Sequence, residues 1–197
     1  MNGGRITSEE QATLGTYIGV GILVVLAVGA VVYFFFLADK EVKQVTGFDP
    51  NRPVPTDAVL RRRLNADAFA VVRERRGQTP FQNRYWDEVR TGVYVDIITG
   101  EPLFTSLDKY NADLGVPSFS KPISSDLLLE SLDTRYDMQR TQLQVKRSNA
   151  YLGHRFPDPK SPTGQLYSVN SAALRFIPVE RMIADGYEAY LPLLENK

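Results

Sequence analysis

The chain has 197 residues, 23 Lys+Arg against 23 Asp+Glu, one histidine and no cysteine. It therefore holds no disulfide framework, no Cys-ligated zinc or iron–sulfur site and no thiolate nucleophile of its own. Its zero net charge excludes the strong basic excess of a dedicated nucleic-acid binder. With 43% hydrophobic and 11% aromatic residues it is not a disordered chain, and its length suits one ordinary domain with an appendage.

Residues 1–13 form a short N-terminal tail with a single side-chain cation, Arg5. Residues 14–37 carry no charge. As a helix rising ~1.5 Å per residue this run reaches about 36 Å, against a hydrocarbon core of about 30 Å. It is apolar on every side, with Tyr17 and Tyr33 to Phe36 near its ends as interfacial aromatics. These features predict a retained, single-pass transmembrane helix rather than a cleaved signal peptide. Lys40, Lys43 and Arg52 follow it, which favours a cytoplasmic C-terminal part. Gly15 and Gly19 make a GxxxG that suits packing against another transmembrane helix, although glycine is common in spans anyway.

Residues 38–55 read as a linker, because Pro50, Pro53 and Pro55 block regular structure. Residues 56–77 follow as a helix, with Thr56 or Asp57 as the cap and Leu60, Leu64, Ala68 and Val71 or Val72 at helical spacing. Arg61, Arg62, Arg63, Arg73, Arg75 and Arg76 make it basic. Such a face suits anionic lipid or an acidic protein surface, or is simply solvated. From residue 78 to 197 the texture changes to short strand-like runs with turn punctuation. They include Val93 to Ile98 before Thr99-Gly100-Glu101-Pro102, Leu127 to Leu129, Thr141 to Val145, Leu166 to Val169 and Leu174 to Ile177. Together these predict a mainly β domain, closed by a helix from about Val179 to Gly186.

Several runs resemble the methionine-R-sulfoxide reductase (MsrB) family. They are Phe81 to Trp86, Gly92 to Phe104, Gly115 to Ile123, Leu152 to Phe156 and Asn170 to Pro178, in the family's order. The resemblance implies two packed antiparallel sheets with short peripheral helices. It also implies a thiolate that attacks the sulfoxide sulfur and becomes a sulfenic acid, which a resolving thiol then regenerates. The family's Arg-Tyr-Cys-Ile-Asn reads here Leu166-Tyr167-Ser168-Val169-Asn170, so Ser168 holds the nucleophile position. By the same alignment Leu166 replaces an arginine and Val116 a tryptophan that packs on the substrate methyl. Tyr151 replaces one of two histidines, and Leu114 stands where some members have a resolving cysteine. His154, Asn170, Phe119 and Phe176 remain as a possible residual pocket.

On this comparison the expectation is a degenerate pseudoenzyme. It would be a membrane-anchored, non-catalytic accessory subunit that stabilises a larger respiratory or photosynthetic complex, packed against other transmembrane subunits. A module that binds methionine or its sulfoxide and an active reductase are the alternatives. A Ser168–His154 pair oriented by Asp158 or Asp96 would suit hydrolysis, but no nucleophile elbow flanks Ser168. No metal site is expected from one histidine and scattered carboxylates, and no cofactor is implied.

Overall fold

The computed structural model describes residues 47–135 and 140–195. The expected tail and span, residues 1–37, and the first half of the linker, residues 38–46, lie outside them. Among the described residues no helix is long and apolar enough to cross a membrane.

The region expected as one basic helix is two. Helix α1, Asp57–Arg63, ends at Leu64, and α2, Ala66–Glu74, starts again behind Asn65. The break has a local cause: the Asn65 side chain accepts a hydrogen bond from Ala68 N at 2.7 Å, the N-cap arrangement that begins a helix afresh. Arg75 closes α2 in the left-handed region, φ 58. Val71 and Val72 carry α2 into the main core, and the Arg61 guanidinium lies 4.1 Å from the centre of the Phe69 ring. Arg62, Arg63 and Arg76 are exposed.

Among the described residues eight strands form two antiparallel sheets. The smaller sheet has the order β2-β1-β8, from β1 (Gly92–Asp96), β2 (Pro102–Thr105) and β8 (Leu174–Pro178). The larger has the order β3-β7-β6-β5-β4, from β3 (Ser118–Phe119), β4 (Leu128–Asp133), β5 (Arg140–Val145), β6 (Tyr151–Pro157) and β7 (Gln165–Val169). Period-2 alternation sets the packing. Tyr94, Phe104 and Phe176 of the small sheet and Phe119, Leu143, Leu152 and Val169 of the large one fill one core. Val93, Val95 and Ile177 point the other way and pack with Met182 and Tyr187, so β1 is buried on both faces. Helix α3 covers only Val179–Met182, shorter than expected, and a turn carries the chain to Gly186; α4 is Pro192–Glu195.

Candidate active site

The site lies on the outer face of the large sheet, where β7 and β6 adjoin. Ser168 stands opposite His154 across the β6–β7 pair and opposite Ser118 across the β3–β7 pair. A strict two-residue pleat would send Tyr151 and His154, three positions apart, to opposite faces. The register opposite β5 shifts at this place: Leu143 pairs with Gly153 and Gln144 with Tyr151. Leu152 is the extra residue of a β-bulge, and the bulge returns Tyr151 to the face of His154. Gly153 is needed beside it. A Cβ there would lie 2.1 Å from the Ser168 carbonyl oxygen, so β6 and β7 approach this closely only over glycine.

A cavity of about 300 Å³ opens at this point. Of the residues singled out in the sequence, Val116, Tyr151, His154, Ser168 and Asn170 line it. Val169 N donates to Pro117 O at 2.9 Å, which ties the Val116 loop to β7. Asn170 acts as a tie rather than as a free pocket group. Its Nδ2 donates to Leu152 O at 2.8 Å, and its Oδ1 accepts from Gln78 N at 3.2 Å.

The remaining sequence candidates stand elsewhere. Phe119 and Phe176 belong to the buried core, with Phe119 stacked on Phe104 at 4.4 Å. The pleat turns these two aromatics inward, away from the cavity. Leu166 is buried on β7 without lining the cavity, and Leu114 is exposed. Asp96 ties the turn after β1, accepting from Ile98 N, Thr99 N and Thr99 Oγ1. Asp158 accepts from Tyr110 at 2.9 Å. Neither orients His154, so the serine-hydrolase arrangement is not formed.

The carboxylate that does orient it, Asp133, was missed in the sequence. Its Oδ2 accepts from His154 Nε2 at 2.8 Å and from Arg140 Nη2 at 3.1 Å, and its Oδ1 accepts from Arg135 Nε at 2.8 Å. Hydrogen bonds from Arg135, then from His154, hold its carboxyl well below the usual carboxylate range, so it is ionised and can only accept. The proton between Asp133 and His154 therefore sits on Nε2. Burial pushes the His154 pKa down, against the opposing pull of Asp133, and the neutral ring keeps a lone pair on Nδ1. Nδ1 faces the Tyr151 hydroxyl at 3.4 Å, and burial pushes the Tyr151 pKa up, so Tyr151 remains a phenol. Asp133, His154 and Tyr151 thus form a directed line from an ionised acceptor, through a neutral base, to a hydroxyl in the cavity. Arg75, Arg135 and Arg140 also line this cavity.

Residues 64–178 match the SelR domain family. The chain belongs to that family. The Vibrio cholerae serotype O1 protein "Peptide methionine sulfoxide reductase MsrA/MsrB" is 41% identical over 141 residues, 72% of this chain. The chain covers 37% of that relative's length.

These matches overturn the reading of the chain as a pseudoenzyme and non-catalytic accessory subunit of a membrane complex. A SelR domain with a reductase relative at this identity supports reductase function. The physical reason for the error is in the site. In the sequence Tyr151 reads as a lost histidine and Asp133 belongs to no motif, whereas the fold joins both to His154 in one hydrogen-bonded line.

Proposed function

We propose that this SelR domain reduces methionine-R-sulfoxide in polypeptides, drawing both electrons from a thiol reductant outside the chain. The observation that carries this reading is the Asp133–His154–Tyr151 line aimed into a cavity of about 300 Å³, at the small end of ligand pockets. The full chain has no cysteine, and the hydroxyl of Ser168 carries no sulfenic chemistry. The nucleophile is therefore the external thiol.

In this scheme His154 Nδ1 takes the thiol proton as the sulfur attacks the sulfoxide sulfur, and Asp133 stabilises the imidazolium that forms. The proton passes through Tyr151 to the sulfoxide oxygen. The S–O bond of the substrate breaks, methionine is released as the thioether, and the oxygen leaves on the thiol as a sulfenic acid. A second thiol attacks that sulfenic acid, a disulfide forms and water departs. One sulfoxide and two thiols thus give one thioether, one disulfide and one water.

The test is incubation of the full chain with a methionine-R-sulfoxide peptide and dithiothreitol, followed by mass spectrometry. Loss of one oxygen from the R epimer, faster than with dithiothreitol alone, is expected. A rate equal to that of the dithiol alone refutes the proposal.

A further inference from the structure

We propose that the chain selects oxidised methionines that lie in acidic stretches of polypeptide, with Arg75 as the bridge between the sulfoxide cavity and a second, carboxylate-binding cavity. This rests on the function proposed above. Arg75 lines both the sulfoxide cavity and a neighbouring cavity of about 490 Å³. The second cavity is also lined by Arg73, Arg147 and Asp57. The two cavities together present the guanidinium groups of Arg73, Arg75, Arg135, Arg140 and Arg147. Asp57 lies 2.8 Å from Arg73 Nε, Asp133 pairs with Arg135 and Arg140, and the Glu101 carboxylate faces the Arg147 charge. The cationic character at the junction of the two cavities falls on Arg75.

The individual groups fit the same occupant. Arg75 is exposed and enters no ion pair among the described residues, and its left-handed backbone, φ 58, fixes where its side chain leaves the end of α2. Arg147 Nη2 donates to Arg52 O at 2.6 Å, which holds this guanidinium in place at the cavity wall. Guanidinium groups match carboxylates in shape and charge. A peptide with its sulfoxide in the first cavity runs past Arg75 into the second, where a neighbouring Asp or Glu side chain finds its partners. The concave shape and the continuity with the sulfoxide cavity favour a peptide over a flat lipid surface.

The experiment is binding, not turnover. Fluorescence anisotropy with the full chain compares labelled peptides carrying methionine sulfoxide flanked by Glu, by Gln or by Lys, each with an unoxidised control, alongside vesicles containing phosphatidylserine. The Glu peptide should bind about fivefold more tightly than the Gln peptide, in the range of exposed charge pairs, and the preference should fade as salt is raised. R75E should remove it. R75N, which suits the left-handed backbone, should remove it too and guards against misfolding of R75E. A flat Glu–Gln–Lys series with sulfoxide still preferred over methionine overturns this inference and leaves the proposed function standing. Acidic preference that depends on Arg75 but ignores oxidation leaves a carboxylate-binding surface, overturns its coupling to a sulfoxide site and counts against the proposed function. A flat peptide series with R75E-sensitive vesicle binding assigns the surface to lipid and overturns it.

Discussion

Replacing Tyr151 by phenylalanine removes one oxygen from the site and leaves the ring in place. Tyr151 is 5% exposed, so the phenylalanine ring retains its apolar burial. The deleted hydroxyl is 3.4 Å from His154 Nδ1, long for a hydrogen bond to a hydroxyl. A normal intramolecular hydrogen bond contributes about 0.5–1.5 kcal/mol net, and this one stands at the low end. The nitrogen left behind faces the cavity, where water reaches it. The expected loss of stability is below about 1 kcal/mol, a fall in Tm of at most about 4 °C for a domain of this size. Catalysis should suffer far more, because a positioned proton donor contributes about 100-fold to 10,000-fold. Dithiothreitol-driven reduction of a methionine-R-sulfoxide peptide by Y151F should therefore drop at least about 100-fold in kcat, with KM little changed. Wild-type kcat in a folded Y151F would refute the proton path through Tyr151. A collapse of Tm would refute the reading of its hydrogen bond as weak.

Three further outcomes are expected. Gly153→Ala brings a Cβ within 2.1 Å of the Ser168 carbonyl oxygen, so β6 must part from β7. Overpacking of this kind costs about 1–3 kcal/mol, and thermal unfolding should report it as a lowered Tm together with reduced turnover. The pH profile of kcat/KM should have an acid limb set by His154. Because burial lowers its folded pKa from the ordinary 6.5, the base stays neutral above that value and protonates only below it. Activity should fall below 6.5, and the stability contributed by neutral His154 should be lost over the same acid window, as pH drops through the lowered folded value. An acid limb above 6.5 would contradict the burial argument. Ser168→Cys places a thiol opposite His154. This variant should reduce one equivalent of sulfoxide with no external thiol and leave a sulfenic acid that a dimedone-type reagent traps; absence of that adduct after the oxygen is transferred would show that Ser168 does not face the substrate sulfur.

The strands were the legible part of the sequence. Val93 to Val95 are apolar on successive positions because both faces of β1 are covered, by the main core on one side and by Met182 and Tyr187 on the other, while β8 breaks its apolar run only at the exposed Arg175. The helical region was read with the right residues and the wrong continuity, since Asn65 looks polar and unremarked in a helical pattern until its side chain is seen capping α2. The MsrB motifs single out Ser168, His154 and Tyr151, which line one cavity in the fold. They misplaced Phe119 and Phe176, whose facing depends on the pleat and on the sheet opposite. Asp133 was out of reach for a different reason. It belongs to no motif, and it meets His154 only after β4 pairs with β5 and β5 with β6. The shared face of Tyr151 and His154 depends on a bulge at Leu152 that nothing in the spacing announces. Residue replacements at single positions therefore suggest a dead site, while the fold joins Tyr151, His154 and Asp133 in one hydrogen-bonded line.

In the proposed reaction a SelR domain without a cysteine turns over its substrate with an external thiol. The most direct measurement follows the R and S epimers of a methionine-sulfoxide peptide by chiral chromatography, with the full chain and dithiothreitol present. Repeated turnover of the R epimer, sparing of the S epimer and oxidation of one dithiol per sulfoxide reduced are expected. Equal decay of the two epimers at the rate of dithiothreitol alone would contradict the proposed reaction.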